Sequence, residues 1–291
     1  MTELRCSRPE ETPRLKTLWK LAFGDEDACI DFFFTGEYRP EDMLVLLEDG
    51  VIVTMLYLMP ITLQAPSFSA TAHYVYALAT HPDARQKGYG RQLLAFADQE
   101  LRRRGDDCIT VVPAQPSLHK FFSSVGFSEC FATRLEEVPA ALVPDAAPGA
   151  AVDPLSPQDY NALRRTLLQG NYYVDYGEGL LIYQAGLSRM SGAGLYRLEM
   201  EGETGCAAVE YADEDTVVIK ELLMADHLLP QAVAQLARRL RARRYHVRTP
   251  AFWTGLVGSY IQPFGMIKWY DPDKEANWIR DPLAYMGLGF D

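Results

Sequence analysis

Basic residues are scarce in this 291-residue chain: 28 Lys and Arg stand against 39 Asp and Glu, for a formal net charge of −11. That deficit argues against a sequence-independent grip on nucleic acid, which needs a surplus of cations along the phosphates. Cysteine is sparse as well. The five, at positions 6, 29, 108, 130 and 206, show no CxxC spacing, and an odd, scattered set fits a reducing compartment better than a disulfide framework. The five His form no close-spaced ligand motif, so no metal is expected. No apolar run approaches the about 18 residues that a membrane span requires, and the first residues, MTELRCSRPEETPRL, hold no apolar targeting segment. No membrane association is expected, and the cytoplasm is the expected location. The composition itself is ordinary for a globular protein, 48% apolar and 23% charged, with length for two domains or one large one.

The order of elements is legible from periodicity and punctuation. A short strand at 3–8 precedes two helices, PRLKTLWKLAFG and DEDACIDFFFTG. MLVLLEDGVIVTMLYLMP reads as a hairpin turning at Asp49-Gly50, and SFSATAHYVYALAT as a third strand of that sheet. An amphipathic helix at 91–104 carries Leu93, Leu94, Ala97 and Leu101 on one face. CITVVPA (strand), SLHKFFSSVGF (helix) and SECFATRLEEV (strand) follow. Residues 136–157 hold five prolines and no apolar period, the signature of a linker. Beyond it the coarse order of hairpin, strand, long helix and strand recurs. The expected fold is a layered α/β (α+β) one, a mixed central sheet flanked by helices, duplicated in tandem: 1–136, a linker at 137–153, and 154–291.

One stretch asks for a ligand. HPDARQKGYGRQLL, residues 81–94, gathers basic residues and glycines between a strand and a helix in a chain that is otherwise acidic. The GxxxxGK[ST] pattern is absent, and Gly88-Tyr89-Gly90 lacks the third glycine of a dinucleotide fingerprint. What remains is Arg85-x-x-Gly88-x-Gly90. Glycines let backbone N–H groups converge, and the positive end of the following helix adds to them, which makes a nest suited to pyrophosphate.

With strand, Pro82, this loop, the helix, the strand CITVVPA and the closing Gly126-Phe127 in that order, residues 3–135 resemble the GCN5-related N-acetyltransferase (GNAT) family. The layout is similar to bacterial two-domain members whose second domain is degenerate. The resemblance implies an acetyltransferase-like fold and acetyl-coenzyme A as cosubstrate. It implies that the backbone of Leu78, Ala79 and Thr80 pairs with the pantetheine arm. It implies, too, that Arg85, Gln86, Lys87, Gly88, Tyr89, Gly90 and Arg91 hold the pyrophosphate. The expected activity is transfer of an acetyl group to a primary amine, on a small molecule or as an exposed amino group, by direct attack. The partners are then an acyl-coenzyme A donor and an amine acceptor, with oligomerisation left open. The segment after TVVIKELLM has no glycine between Ile219 and Gln235, so the second unit is expected to bind no coenzyme.

The chemistry needs a proton acceptor for the amine and a donor for the carbonyl or the leaving thiolate. In the family a Tyr commonly stands four residues before the closing glycine; here that residue is Phe122, which has no proton to give. Substitutes are Tyr74 and Tyr76 on one face of the strand before the loop, His73 on the other face, His81 and His119. By similarity to two-domain relatives, the α-carboxylate of Asp291 is a candidate base. NYYVDYGEG, residues 171–179, suits an amine pocket or a domain interface. Phe122 also leaves open a non-catalytic acyl-coenzyme A-binding regulatory or scaffold protein, and the loop does not distinguish acetyl from longer acyl donors.

Overall fold

The computed structural model describes residues 1–278 and 283–290. The first half runs β1 (Thr2–Cys6), α1 (Thr12–Phe23), α2 (Asp27–Gly36), β2 (Met43–Glu48), β3 (Val51–Gln64), β4 (Ser69–Thr80), α3 (Tyr89–Arg104), β5 (Cys108–Val111), α4 (Pro116–Ser123) and β6 (Ser128–Pro139). The second half runs β7 (Ala151–Pro154), α5 (Pro157–Leu168), β8 (Tyr173–Tyr176), α6 (Glu178–Met190), β9 (Gly194–Met200), β10 (Glu203–Asp213), β11 (Thr216–Leu223), α7 (Leu229–Arg239), β12 (Arg244–Pro250), β13 (Tyr260–Trp269) and α8 (Pro272–Asn277).

Local chemistry explains the boundaries. The turn between β2 and β3 has Asp49 and Gly50 both at positive φ, 50° and 81°, the conformation a two-residue hairpin of right-handed twist requires. Helix α3 buries Leu93, Leu94, Ala97 and Leu101, each leucine contributing roughly 2 kcal/mol on burial. It stops at Gly105, left-handed at φ 86°, with Arg102, Arg103 and Arg104 in the last turn, where the helix dipole favours cations.

Thirteen strands of the described residues form one sheet in the order β1-β2-β3-β4-β5-β13-β6-β12-β11-β10-β9-β7, with β8 paired to β3. Read inward from the two edges, each strand of one half meets its counterpart in the other: β1 and β7, β2 and β9, β3 and β10, β4 and β11, β5 and β12, β13 and β6. Helices repeat in the same sense: α1 and α2 match α5 and α6, and α3 matches α7. The fold is a duplicated one. The halves also share strands: β13 lies antiparallel between β5 and β6, and β6 runs to Pro139 to pair with β12.

Three cores result. One, under α1, α2, α5 and α6, is continuous across both halves and contains Trp19, Phe33, Tyr76, Tyr160, Tyr183 and Phe290. On the opposite face, α3 and α4 cover the first half and α7 covers the second. No helix of the described residues is long and apolar enough to cross a membrane.

Candidate functional site

The site begins where two parallel strands part. β4 pairs with β5 only from Ala72↔Cys108 to Val75↔Val111. Beyond Val75, β4 carries one extra residue relative to β3, since its register jumps from Tyr57↔Tyr76 to Met55↔Ala79. Ala77 takes up the irregularity at φ 51°, a left-handed conformation that costs a non-glycine residue about 1–2 kcal/mol. Such a bulge turns successive side chains to one face: Tyr76 and Ala77 both join the core under α1 and α2, whereas Val75 and Leu78 pack on the α3 side. The backbone from Tyr76 to Thr80 is left facing an opening.

That opening leads into a cleft of about 1030 Å³ whose walls come from both halves. The first half supplies Trp19, Asp25, Tyr74 to Leu78, Val111, Val112 and Phe122, and the second supplies Tyr183, Glu210, Lys220 and Phe290. Leu78 lines it, while Ala79 and Thr80 continue the β3 pairing, the Thr54 hydroxyl donating to that of Thr80 at 3.2 Å.

The loop after β4 is held open by its backbone. Gln86 and Gly88 are left-handed, at φ 64° and 77°. Gly88 is the N-cap of α3, whose first backbone bond runs from Gln92 N to Gly88 O at 3.1 Å. The amides of Tyr89, Gly90 and Arg91 are therefore the unpaired first-turn donors of the helix. Side chains brace the loop from outside. Arg85 Nε donates to Thr80 O at 3.3 Å, and Arg91 donates to Ser124 O and Oγ at 3.0 and 2.9 Å. Lys87 Nζ and the Tyr89 hydroxyl both reach Glu48 in the β2–β3 hairpin. The hydrogen bond from Tyr89, then that from Lys87, holds the Glu48 carboxyl below its ordinary range. Glu48, at the end of β2, thus tethers this loop.

The remaining candidates separate. Tyr74 and Tyr76 line the cleft. The Tyr74 hydroxyl donates to Phe290 O at 3.4 Å, and the Tyr76 and Tyr183 hydroxyls share a hydrogen bond at 3.2 Å. Burial pushes the Tyr76 and Tyr183 hydroxyls well above the ordinary phenol range, so both stay neutral donors. His73 packs outside the cleft, with Nδ1 3.0 Å from Asp106. His81 accepts from Asp83 N at 3.3 Å, and His119 sits 2.7 Å from Glu129 on the surface. Phe122 is 4% exposed, packed between Phe121 and Phe127. Asp291 lies outside the described residues.

The second half contributes what periodicity did not single out. Tyr173 to Tyr176 form β8, so NYYVDYGEG joins the sheet at β3. The segment 284–290 threads between the halves: Ala132 N bonds Ala284 O, Val174 N bonds Tyr285 O, and the Tyr176 hydroxyl donates to Met286 O at 2.7 Å. It delivers the Phe290 ring to within 6.0 Å of Tyr76 and 5.7 Å of Tyr183, centroid to centroid. Beneath it, Arg164 and Glu221 form a fully buried ion pair at 2.7 Å, joined by the Tyr160 hydroxyl at 2.7 Å. In the cleft mouth, Trp19 Nε1 holds Asp25 at 2.7 Å.

Comparison with known proteins bears on the fold. Residues 3–130 match the family model described as an acetyltransferase (GNAT) domain. No curated protein matches the chain. Among solved structures, a GCN5-related N-acetyltransferase from Anabaena variabilis ATCC 29413 superposes with a TM-score of 0.73 at 12% identity, over 92% of this chain and 72% of that one. A putative acetyltransferase from Pyrococcus horikoshii gives 0.61 at 15% identity, over 99% and 94%. A tandem GNAT protein from the clavulanic acid biosynthesis pathway gives 0.54 at 16% identity, over 92% and 98%. The chain thus has the GCN5-related N-acetyltransferase fold in a tandem arrangement, with its GNAT domain matched at residues 3–130.

Proposed function

We propose that the protein is an acyl-coenzyme A-dependent N-acyltransferase that moves an acetyl group from acetyl-coenzyme A to a primary amine, on a small molecule or as an exposed amino group. One observation carries the reading: the parted β4–β5 edge lines the cleft as far as Leu78 and runs on, past Thr80, into the left-handed loop that opens α3. A pantetheine arm pairs with the free backbone from Tyr76 to Thr80. The pyrophosphate takes the amides of residues 86–91, with the cationic side chains of Arg85, Lys87 and Arg91 around it.

The thioester supplies the acetyl group and the leaving thiolate. The amine nitrogen loses a proton and attacks the carbonyl carbon, after which the C–S bond breaks. With no proton on Phe122, the phenols in the cleft, Tyr74, Tyr76 and Tyr183, are the available donors. Asp25 and Glu210 are carboxylates of the cleft wall that attract the ammonium and take its proton, directly or through water. His73, turned away to Asp106, serves as an outer brace in this reading, and Asp291 remains a candidate base for mutational test. Much of the acceleration comes from holding amine and thioester together.

Phe122 favours a second reading, a non-catalytic acyl-coenzyme A-binding protein. Thiol release from purified protein, acetyl-coenzyme A and a panel of amines separates the two. Release above background with at least one amine supports the transferase. Tight acetyl-coenzyme A binding without release for any amine supports the binding protein, and absence of binding overturns both.

A further inference from the structure

The wall that β10 and β11 give to the cleft holds a lysine in an unsatisfied setting. Lys220 is only 4% exposed, yet its Nζ has no hydrogen-bond acceptor among the described residues. The nearest carboxylate oxygen, Glu210 Oε1, stands at 3.6 Å, and the face of Phe290 lies 5.8 Å away. An ammonium carries three donors, and here they face the open volume of the cleft without a fixed acceptor.

The fold aims this residue on purpose. The register of β10 with β11 jumps from Ala208↔Glu221 to Val209↔Ile219, so Lys220 is the extra residue of a bulge. Strict alternation would put Lys220 and Glu221 on opposite faces. Instead Ile219 packs under α7, while Glu221 turns to Arg164 and Lys220 to Phe290, on the other side. Glu210 is fixed separately, by a hydrogen bond from Gln184 Nε2. The two charges are thus placed independently, face the same open volume, and match each other only loosely.

We propose that Glu210 and Lys220 form the headgroup subsite of the acceptor, and that the acceptor is a zwitterion of the amino-acid type. Its carboxylate sits on Lys220 and its ammonium on the side of Glu210, with its side chain among the rings of Trp19, Tyr183 and Phe290. This rests on the acyltransferase reading above, because it names that reaction's acceptor. A carboxylate supplies the acceptors that the Lys220 donors lack, as charge-assisted hydrogen bonds. A simple amine leaves them unmatched and adds a cation beside a cation, which acts against it.

The test uses matched probes, titrated by calorimetry into the full chain with and without coenzyme A. The probes are L-phenylalanine, phenylalaninamide and phenethylamine, and likewise L-leucine, leucinamide and isoamylamine. In at least one series the amino acid should bind roughly tenfold or more tightly than its amide and its amine, within the range of a buried charge-assisted bond. Lys220→Met should erase the preference and leave acetyl-coenzyme A affinity unchanged, while Lys220→Arg should keep part of it. The proposal is overturned if amide and amine match the amino acid in both series, if neither amino acid binds at millimolar concentration, or if folded Lys220→Met retains the preference. Should Lys220→Met not fold, the wild-type comparison alone decides. Thiol release with amines but no carboxylate preference sinks this proposal and spares the transferase. Carboxylate-dependent binding with no thiol release for any amine does the reverse.

Discussion

Gly88 offers a clean way to test the coenzyme loop, because the backbone effect of a substitution can be separated from its charge. A side chain added there meets nothing within 4 Å, so no clash arises; only the left-handed backbone, φ 77°, resists it. Asn and Asp tolerate that conformation best among residues with side chains, and both variants carry the same backbone cost of about 1 kcal/mol. They differ by one negative charge at the start of α3. In the free protein that charge is favourable, by about 0.3–1 kcal/mol at a helix N-terminus, so Gly88→Asp should melt no lower than Gly88→Asn. With acetyl-coenzyme A present the sign reverses. Two unit charges about 4 Å apart repel by about 1 kcal/mol in water and about 4 kcal/mol at an effective dielectric of 20. The expected result in calorimetry is Gly88→Asn within about threefold of the native affinity and Gly88→Asp at least tenfold weaker, about 1.4 kcal/mol. Salt should shrink the gap between the two, since the screening length falls from about 10 Å at 0.1 M to about 3 Å at 1 M. If both folded variants bind within twofold of each other at low salt, the pyrophosphate does not lie at this loop.

The single loop predicts a titration stoichiometry of one coenzyme A per chain; two comparable sites would refute the assignment. Glu221→Gln leaves the fully buried Arg164 guanidinium without its counter-charge and should cost about 3–5 kcal/mol, lowering Tm by about 10 °C. The double replacement Arg164→Met with Glu221→Leu should lose less, and equal losses would deny that an orphaned charge is the cause. Burial raises the hydroxyls of Tyr76, Tyr160, Tyr183 and Tyr285 above the ordinary phenol value. Their contribution to stability is therefore complete below about pH 10 and is lost as pH climbs from there toward the raised values, the unfolded chain shedding those protons first. Phenolate absorbance from these residues should rise together with loss of the folded circular dichroism signal, and early ionisation in a folded protein would contradict their burial. A chain cut to residues 1–139 lacks β13, which pairs with both β5 and β6, and should be insoluble or expanded; a stable, cooperatively melting fragment would show that the shared strand is dispensable.

What was legible in the sequence was local. Alternation, helical spacing and the Asp49-Gly50 turn set most elements, and the glycines of residues 81–94 announced a left-handed turn before a helix. What escaped was long-range. Nothing in FGMIKWYD says that it will lie between CITV and SECFATRLEEV, since that pairing is decided by the assembled sheet. The bulge at Ala77 carries no glycine to mark it. TVVIKELLM reads as a plain strand, in which neighbours face opposite ways, and the bulge that puts Lys220 and Glu221 on one face is a property of the β10–β11 register. Nothing in NALRRTLLQ marks Arg164 for burial, which depends on Glu221, 57 positions away.

In the duplicated fold one copy carries the glycine loop of the proposed anion nest and the other does not. At the position of the glycine loop the second half has Asp226–Leu228 followed by α7, with Leu228 and Leu229 buried and Pro230 in the first turn. A proline removes one amide donor, the leucines close the concavity, and the Asp226 carboxylate accepts from the amides of Thr254 and Gly255, so negative charge already occupies the neighbourhood. Each half nevertheless keeps its bulge, at Ala77 in β4 and at Lys220 in β11, and both turn residues toward the core that spans the two copies. In the first half the bulge frees the backbone on which the proposed function seats a coenzyme arm; in the second it puts a charged side chain on the same cleft. Shared strands β6 and β13 hold the two bulges in one sheet, so under the proposed function the second copy can turn to acceptor recognition without the site coming apart. A pair of separate domains on a flexible linker could not keep Lys220 and Tyr76 on the lining of one cavity.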